Sequence, residues 1–134
     1  MYTETVIDHF NNPRNCGDLE DANAVGEVKS EECGDITRVM LKITGGVIED
    51  IKFKTFGCGA AIASSSMATE MLKGKTVKEA LALTNNSVVD ALGGLPENKV
   101  HCSVLAEDAV RAALHDYCRR HGIDPAEYGL SNNP

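Results

Sequence analysis

A change of hydrophobic period near the middle of this chain limits its fold more than any other feature. Val39, Leu41 and Ile43 alternate with Met40, Lys42 and Thr44, and after Gly45-Gly46 the residues Ile51 and Phe53 alternate with Lys52 and Lys54. A period of two describes a strand with one buried face, and a Gly-Gly pair between two such runs marks a β-hairpin. After Phe56-Gly57-Cys58-Gly59 the β-branched residues thin out. Ala60, Ala61, Ala63, Met67, Ala68, Met71 and Leu72 then follow the 3.6-residue period of a helix closed by Gly74. Residues 24 to 30, with Val25 and Val28 broken by Gly26, supply a third antiparallel strand. Strands first and helices afterwards specify the α+β class, here a small three-stranded antiparallel sheet with helices packed on one face.

The remaining helices carry their own signals. Residues 3 to 10 form a short one with Thr3 as cap, Val6, Ile7 and Phe10 on one side, and Asn11-Asn12-Pro13 as stop. Thr76 with Glu79 is a capping-box pair opening a helix through Leu83, and Asn86 to Leu92 is a further short helix closed by Gly93-Gly94. From about Ser103 to His121, Ala106, Ala109, Val110, Ala113, Leu114 and Tyr117 recur at helical spacing. Glu107 and Asp108 are expected in the first turn and Arg119, Arg120 and His121 in the last, matching the helix dipole at both ends. Asp124-Pro125-Ala126-Glu127 caps a last short turn. With no repeat, linker or low-complexity stretch in 134 residues, the expectation is a single domain over 1–130 and a flexible tail over 131–134.

Composition narrows the partners. Hydrophobic residues make up 43% but aromatics only 4%, so the core must be aliphatic and base-stacking platforms are poorly supplied. Thirteen basic against twenty acidic residues leave a net charge of -7, which repels phosphate backbones and anionic membranes and argues against nucleic acid as a partner. The N-terminus lacks a basic and apolar leader, and no run is long enough to span a membrane.

Five cysteines, at 16, 33, 58, 102 and 118, are an odd number with gaps of 17, 25, 44 and 16, so CxxC motifs are absent. A domain of this size folds without disulfide staples, which leaves its thiols free for chemistry in a reducing, cytoplasm-like compartment. Cys58 stands between two glycines directly before a helix, where missing side chains let a bulky inorganic group approach and the helix dipole favours negative charge. Cys102 is read in the same relation to the last long helix. Cys33 lies in a loop with carboxylates, Asp35 among them. Each of these also has a plainer reading: a lone cysteine is often a small buried hydrophobe, and Asp35 can cap a turn. His101 is a packed histidine or, beside a helix-leading cysteine, a ligand; Lys99 is a solvated charge or a cation near Cys102. Cys118 reads as core, Cys16 as an unassigned loop thiol, and His9, His115 and His121 as packed or solvated. Sulfur, imidazole and carboxylate together suit zinc or iron without naming either.

Four stretches are specific in combination: His9-Phe10-Asn11-Asn12-Pro13-Arg14-Asn15, Cys33-Gly34-Asp35, Gly57-Cys58-Gly59-Ala60-Ala61-Ile62-Ala63-Ser64-Ser65-Ser66, and Lys99-Val100-His101-Cys102-Ser103-Val104-Leu105-Ala106-Glu107-Asp108. By these the chain resembles the IscU/NifU-type iron-sulfur cluster scaffold family from about Tyr2 to Tyr128. The resemblance implies a SufE/NifU-like fold in which Cys33, Cys58 and Cys102 converge at one exposed end beside Asp35 and His101. It implies a non-enzymatic carrier that accepts persulfide sulfur from a cysteine desulfurase at Cys102, with Lys99 in support. Iron and electrons from a donor would complete a transient [2Fe-2S] or [4Fe-4S] cluster, which passes to apo-proteins. Zinc is a further ion for the apo form, and the resemblance is compatible with a monomer or a cluster-bridged homodimer. Three thiolates plus one oxygen or nitrogen ligand leave an exchangeable corner, which suits a site that must release its cargo. The resemblance also links Asp35 to cluster lability.

Two departures qualify the match. Members served by a dedicated Hsp70-type chaperone carry Leu-Pro-Pro-Val-Lys where this chain reads Leu95-Pro96-Glu97-Asn98-Lys99, and the loss of a stiff proline and an apolar valine argues against that partnership. Cys16 is an additional thiol. A stand-alone scaffold is expected, and a zinc-bound sulfurtransferase in the style of SufU is the alternative. SufU-like chains carry an insertion before the last cysteine and usually lack the adjoining histidine, whereas here 44 positions separate Cys58 from Cys102 and His101 is present.

Overall fold

The period-two runs become three antiparallel strands, β1 (Ala24–Lys29), β2 (Ile36–Thr44) and β3 (Val47–Phe56), in the order β1-β2-β3. The computed structural model describes residues 2–30, 34–97 and 100–128, apart from the side chains of Asn85, His101, Cys102, Ser103, Pro125 and Tyr128. Gly45 and Gly46 both take positive φ (59° and 78°), the backbone of a two-residue hairpin whose twist matches its flanking strands. Val39, Leu41, Ile43, Ile51 and Phe53 are all buried, as alternation requires.

The sheet departs from simple alternation at two places. The register passes from Lys42 opposite Asp50 to Ile43 opposite Ile48, so Glu49 is an extra residue and β3 is bulged. Ile48 and Ile51, three positions apart, therefore face the same way, and both are fully buried. Met40, expected on the open face, is buried instead. It stands in register between Val25 and Lys52, whose aliphatic atoms can cover it.

The helices are α1 (Glu4–Asn11), α2 (Gly59–Leu72), α3 (Val77–Leu81), α4 (Asn85–Ala91) and α5 (Val100–His121), followed by a short 3-10 turn at Pro125–Tyr128. Thr3 caps α1, and Thr76 with Glu79 forms the expected capping box of α3. Thr84 with Ser87 forms a second box at α4. α2 packs on β3 and α5 on β1 and β2, leaving α1 stacked on α2. Gly26 is a packing residue rather than a break: a Cβ there would lie 2.3 Å from the Ala109 carbonyl oxygen and from the Ala113 nitrogen, so β1 and α5 touch backbone to backbone. The edge of β1 is held from the same helix, since the Val25 amide donates to Asp116 Oδ2 at 2.9 Å. Burial pushes the Asp116 carboxyl up, but that bond and the cations Arg119 and Arg120 outweigh it and hold its pKa below the usual carboxylate range.

α5 begins at Val100, earlier than its pattern suggested. Glu107 and Asp108 therefore fall beyond the first turn, which holds no acid, while Arg119, Arg120 and His121 do occupy the last. The core is aliphatic apart from Phe53 and runs through Leu41, Ile48, Ile51, Leu72, Leu92 and Leu114. Cys118 belongs to it, and burial pushes its thiol pKa up, as befits an inert core residue. No helix among the described residues is long and apolar enough to cross a membrane. The tail over 131–134 lies outside the described residues.

Candidate functional site

Sheet register brings the candidate groups together. Ile36 pairs with Phe56 at one end of the sheet, so Asp35, just before β2, comes beside Gly57, just after β3. The β1–β2 connection is closed by the Ser30 amide on the Asp35 carbonyl (2.7 Å) and the Gly34 amide on the Ser30 carbonyl (2.9 Å). These bonds fix the backbone of Asp35. Its side chain is buried at 6% exposure, and its Oδ2 has no hydrogen-bond partner among the described residues. A buried carboxylate oxygen without a partner is costly to the fold and is a natural acceptor for a cation.

Cys58 is the N-cap of α2 and is half-buried. Its thiol does not take the capping role that Thr3, Thr76 and Thr84 play at their helices. It therefore sits at the positive end of a fourteen-residue helix, where negative charge is favoured. The space left by its two glycine neighbours is not open, contrary to the sequence expectation. A Cβ at Gly57 would lie 2.6 Å from Asp35 Cγ, and one at Gly59 would lie 3.3 Å from Phe10 Cδ1. The glycines admit a carboxylate on one side of the cysteine and an aromatic ring on the other.

α2 is held from several directions, and its three consecutive serines each do something different. Ser64 Oγ donates to the Ala60 carbonyl of its own helix, Ser65 Oγ accepts from Thr55 Oγ1 of β3, and Ser66 Oγ meets α1 and the loop after it. The Ser66 hydroxyl is 2.7 Å from His9 Nδ1 and accepts from the Arg14 amide at 2.9 Å. Sequence reading gave His9 no role beyond packing, and packing is what it does; Ser66 as its partner was missed, although a serine run inside an apolar helix is a signal of internal hydrogen bonding. Burial pushes the His9 imidazole down, and the nearby Arg14 guanidinium adds to the shift. Arg14 is itself paired with Asp8 and Glu70.

This clamp sets the apolar surroundings of Cys58. Tyr2, Val6, Ile7, Phe10 and Gly59 line a groove of about 200 Å³, and Ile7, Phe10 and Phe56 are exposed, Phe56 by 73%. Tyr2, Cys58 and Leu95 pack against Ala60 and Ala61, which draws the approach to α5 toward the start of α2.

Of the residues proposed from sequence, the structure sets Asp35 against Gly57, the residue before Cys58. Cys33 and Lys99 lie outside the described residues, as do the side chains of His101 and Cys102. The backbone of the last two forms part of the first turn of α5, one turn inside the helix relative to the sequence expectation. Among the described residues no three His, Cys, Asp or Glu side chains stand close enough to hold a metal ion. Cys16 is exposed, in a loop whose backbone runs along the outer edge of β3: Phe53 donates to the Asn15 carbonyl and Gly17 donates to the Phe53 carbonyl, both at 2.9 Å.

Residues 1–124 match the NifU-like N terminal domain family. The chain is 58% identical over 122 residues to the iron-sulfur cluster assembly scaffold protein IscU 1 of Archaeoglobus fulgidus, covering 91% of this chain and 80% of that protein. It is 49% identical over 126 residues to the scaffold protein IscU of Azotobacter vinelandii, covering 91% and 98%. Among solved structures it superposes on FiSufU, a SUF-system protein of Fervidobacterium islandicum AW-1, with a TM-score of 0.70 at 29% identity, over 84% of this chain and 95% of that one. The chain belongs to the NifU-like N-terminal domain family.

Proposed function

We propose that this protein is an iron-sulfur cluster assembly scaffold, a carrier and not an enzyme. The observation that carries the proposal is the buried Asp35 carboxylate, one oxygen without a hydrogen-bond partner among the described residues, packed against Gly57, which precedes Cys58. It supports a site with a hard oxygen ligand beside a soft sulfur one. Cys33 precedes Asp35 by two residues in the sequence. With Cys102 and His101 in the first turn of α5, this supports Cys33, Asp35, Cys58, His101 and Cys102 as the ligand set for iron, zinc in the apo form, or a [2Fe-2S] or [4Fe-4S] cluster.

Cys102 is the persulfide acceptor in this proposal. Its thiolate attacks the outer sulfur of a desulfurase persulfide; a new S–S bond forms on Cys102, the old one breaks, and the desulfurase thiolate leaves. Lys99, three residues before it in sequence, would favour the thiolate. A separate electron donor supplies the two electrons that reduce this sulfur to sulfide, and apo-proteins of a cytoplasm-like compartment receive the finished cluster. Cys102→Ser should abolish sulfur transfer from a desulfurase; mass spectrometry still finding the added sulfur at an unaltered rate would remove Cys102 from this role.

FiSufU is named as an iron-sulfur cluster assembly scaffold protein for the SUF system, so that likeness supports the scaffold reading, and the second reading on the same fold is a zinc-bound sulfurtransferase in the style of SufU. Anaerobic reconstitution with iron and sulfide, followed by absorption and Mössbauer spectra, separates the two. A scaffold yields a coloured protein with matched iron and sulfide; a colourless protein holding only zinc belongs to the second reading. Chelation excludes a purely structural zinc domain if the protein stays folded, since a structural site contributes folding energy outright.

A further inference from the structure

We propose that Gly57 is a positioning residue for the site: the absence of its side chain is what lets the Asp35 carboxylate pack against the residue that leads into Cys58. A glycine is usually kept for its backbone freedom or for close approach. Gly57 is not among the residues with positive φ, a group that includes Gly34, Gly45, Gly46 and Gly74, so its backbone conformation alone does not call for glycine. What needs it is space. A Cβ at this position would lie 2.6 Å from Asp35 Cγ, 2.8 Å from Oδ2 and 2.9 Å from Oδ1, all closer than real contacts come. The three nearest atoms all belong to that one carboxyl group, and none is backbone.

That identity makes the consequence specific. A methyl group at position 57 collides with the end of one short side chain, which can swing away while the strands and α2 stay in place. Gly26 is the contrast, since there the same addition would meet the backbone of α5. Gly57→Ala should therefore displace Asp35 and otherwise leave the fold intact. The inference deepens the scaffold reading and rests on it: if Asp35 labilises the bound cluster, Gly57 acts on cluster lifetime through Asp35 alone.

A double-mutant cycle tests this. Wild type, Gly57→Ala, Asp35→Ala and the double variant are reconstituted with iron and sulfide, and loss of visible absorption toward a chelator is timed. The expected result is a several-fold longer lifetime for Gly57→Ala, in the direction of Asp35→Ala, with the double variant indistinguishable from Asp35→Ala. An unchanged lifetime in Gly57→Ala, or additive effects in the double variant, overturns the inference. Urea unfolding of the four metal-free proteins reads the same competition without any cluster. The Gly57→Ala change should be worse tolerated with Asp35 present than in the Asp35→Ala background, and if Gly57→Ala alone fails to fold, the double variant should fold. Equal tolerance in both backgrounds, or a double variant that is also unfolded, refutes the shared space. Failure of the wild type to assemble a cluster defeats the scaffold reading, while the unfolding cycle still decides whether Gly57 places Asp35.

Discussion

Asp35→Ala should stabilise the metal-free protein. The native carboxylate is buried, and among the described residues its Oδ2 has no partner to replace the water it gave up. Leaving a buried polar group unsatisfied costs about 1–3 kcal/mol, and more when the group is charged. Alanine removes that cost and keeps the backbone bond from the Ser30 amide to the Asp35 carbonyl, so the β1–β2 connection stays closed. It loses a few van der Waals contacts with Gly57, a smaller quantity at roughly 0.1–0.2 kcal/mol per atom pair. The net expectation is a gain of about 1–2 kcal/mol. For a chain of 134 residues, an unfolding entropy of roughly 2.1 cal/mol/K per residue makes each kcal/mol worth about 3.5 °C, so Tm should rise by about 4–7 °C.

The assay is urea and thermal unfolding of protein stripped of metal by a chelator, with Asp35→Asn beside it. Asparagine keeps the shape and removes the charge, so it should fall between wild type and alanine. The same Asp35→Ala protein, loaded with cluster, should hold it longer toward air or chelator. An alanine variant no more stable than wild type would show that the carboxylate is satisfied in the apo fold. An unchanged or shortened cluster lifetime would remove Asp35 from the release of cargo. A stability gain together with a longer lifetime would describe a group kept at a cost in stability for the sake of turnover.

Two further outcomes follow from the clamp between α1 and α2. Ser66→Ala leaves His9 Nδ1 and the Arg14 amide without their partner, and at about 1–3 kcal/mol for each such group the loss should reach roughly 2–6 kcal/mol in urea unfolding; a loss below about 0.5 kcal/mol would mean that water replaces the hydroxyl. His9 titrates lower in the folded protein than its ordinary 6.5 because burial disfavours its charged form. The unfolded chain therefore binds the proton first: this contribution to stability is complete above the unfolded value and is lost as pH falls below about 6.5 toward the folded one. Urea midpoints across about pH 7.5 to 5 should show a shallower fall for His9→Gln than for wild type; parallel curves would place the pH dependence elsewhere.

What the sequence made legible, and what it hid, divides along the line between local and non-local causes. Val39, Leu41, Ile43, Ile51 and Phe53 are readable because alternation is a property of neighbours. Ile48 is not, because its burial depends on the bulge at Glu49, and a bulge breaks the period that would have revealed it. The capping box at Thr76 and Glu79 is a local motif and appears where its residues stand. Val100-His101-Cys102 carries no preferred cap residue while Ser103 is one, so the pattern starts the helix at Ser103 and puts two prospective ligands before a helix that includes them. At the site, Cys58 and Asp35 were recognisable by residue type and by resemblance. Their closeness is implied by the resemblance but not by the residue pattern, because 23 positions separate them and it is the register pairing Ile36 with Phe56 that brings Asp35 to Gly57.

The same register explains how one end of this fold can carry chemistry without endangering the rest. Neither Asp35 nor Cys58 belongs to the main core cluster, whose large members are Phe53, Leu41, Ile48, Ile51, Leu72, Leu92 and Leu114. Each proposed ligand comes from the end of an element or from a connection: Cys33 and Asp35 before β2, Cys58 at the cap of α2, His101 and Cys102 at the opening of α5. Ends are where backbone groups await partners and where side chains change with little effect on packing. α2 is the exception that makes the site definite. Small residues let it be buried nearly all round, through Ala60, Ala61, Ala63, Ser64, Ser65, Ser66 and Ala68, so that sheet, α1 and α5 all approach it. A cysteine at the cap of so enclosed a helix is a fixed point. A ligand set with one thiol fixed at a helix cap and others drawn from a connection and from a separate helix end can grip a cluster and still let one side open, the mechanical requirement for a carrier that must give up what it holds.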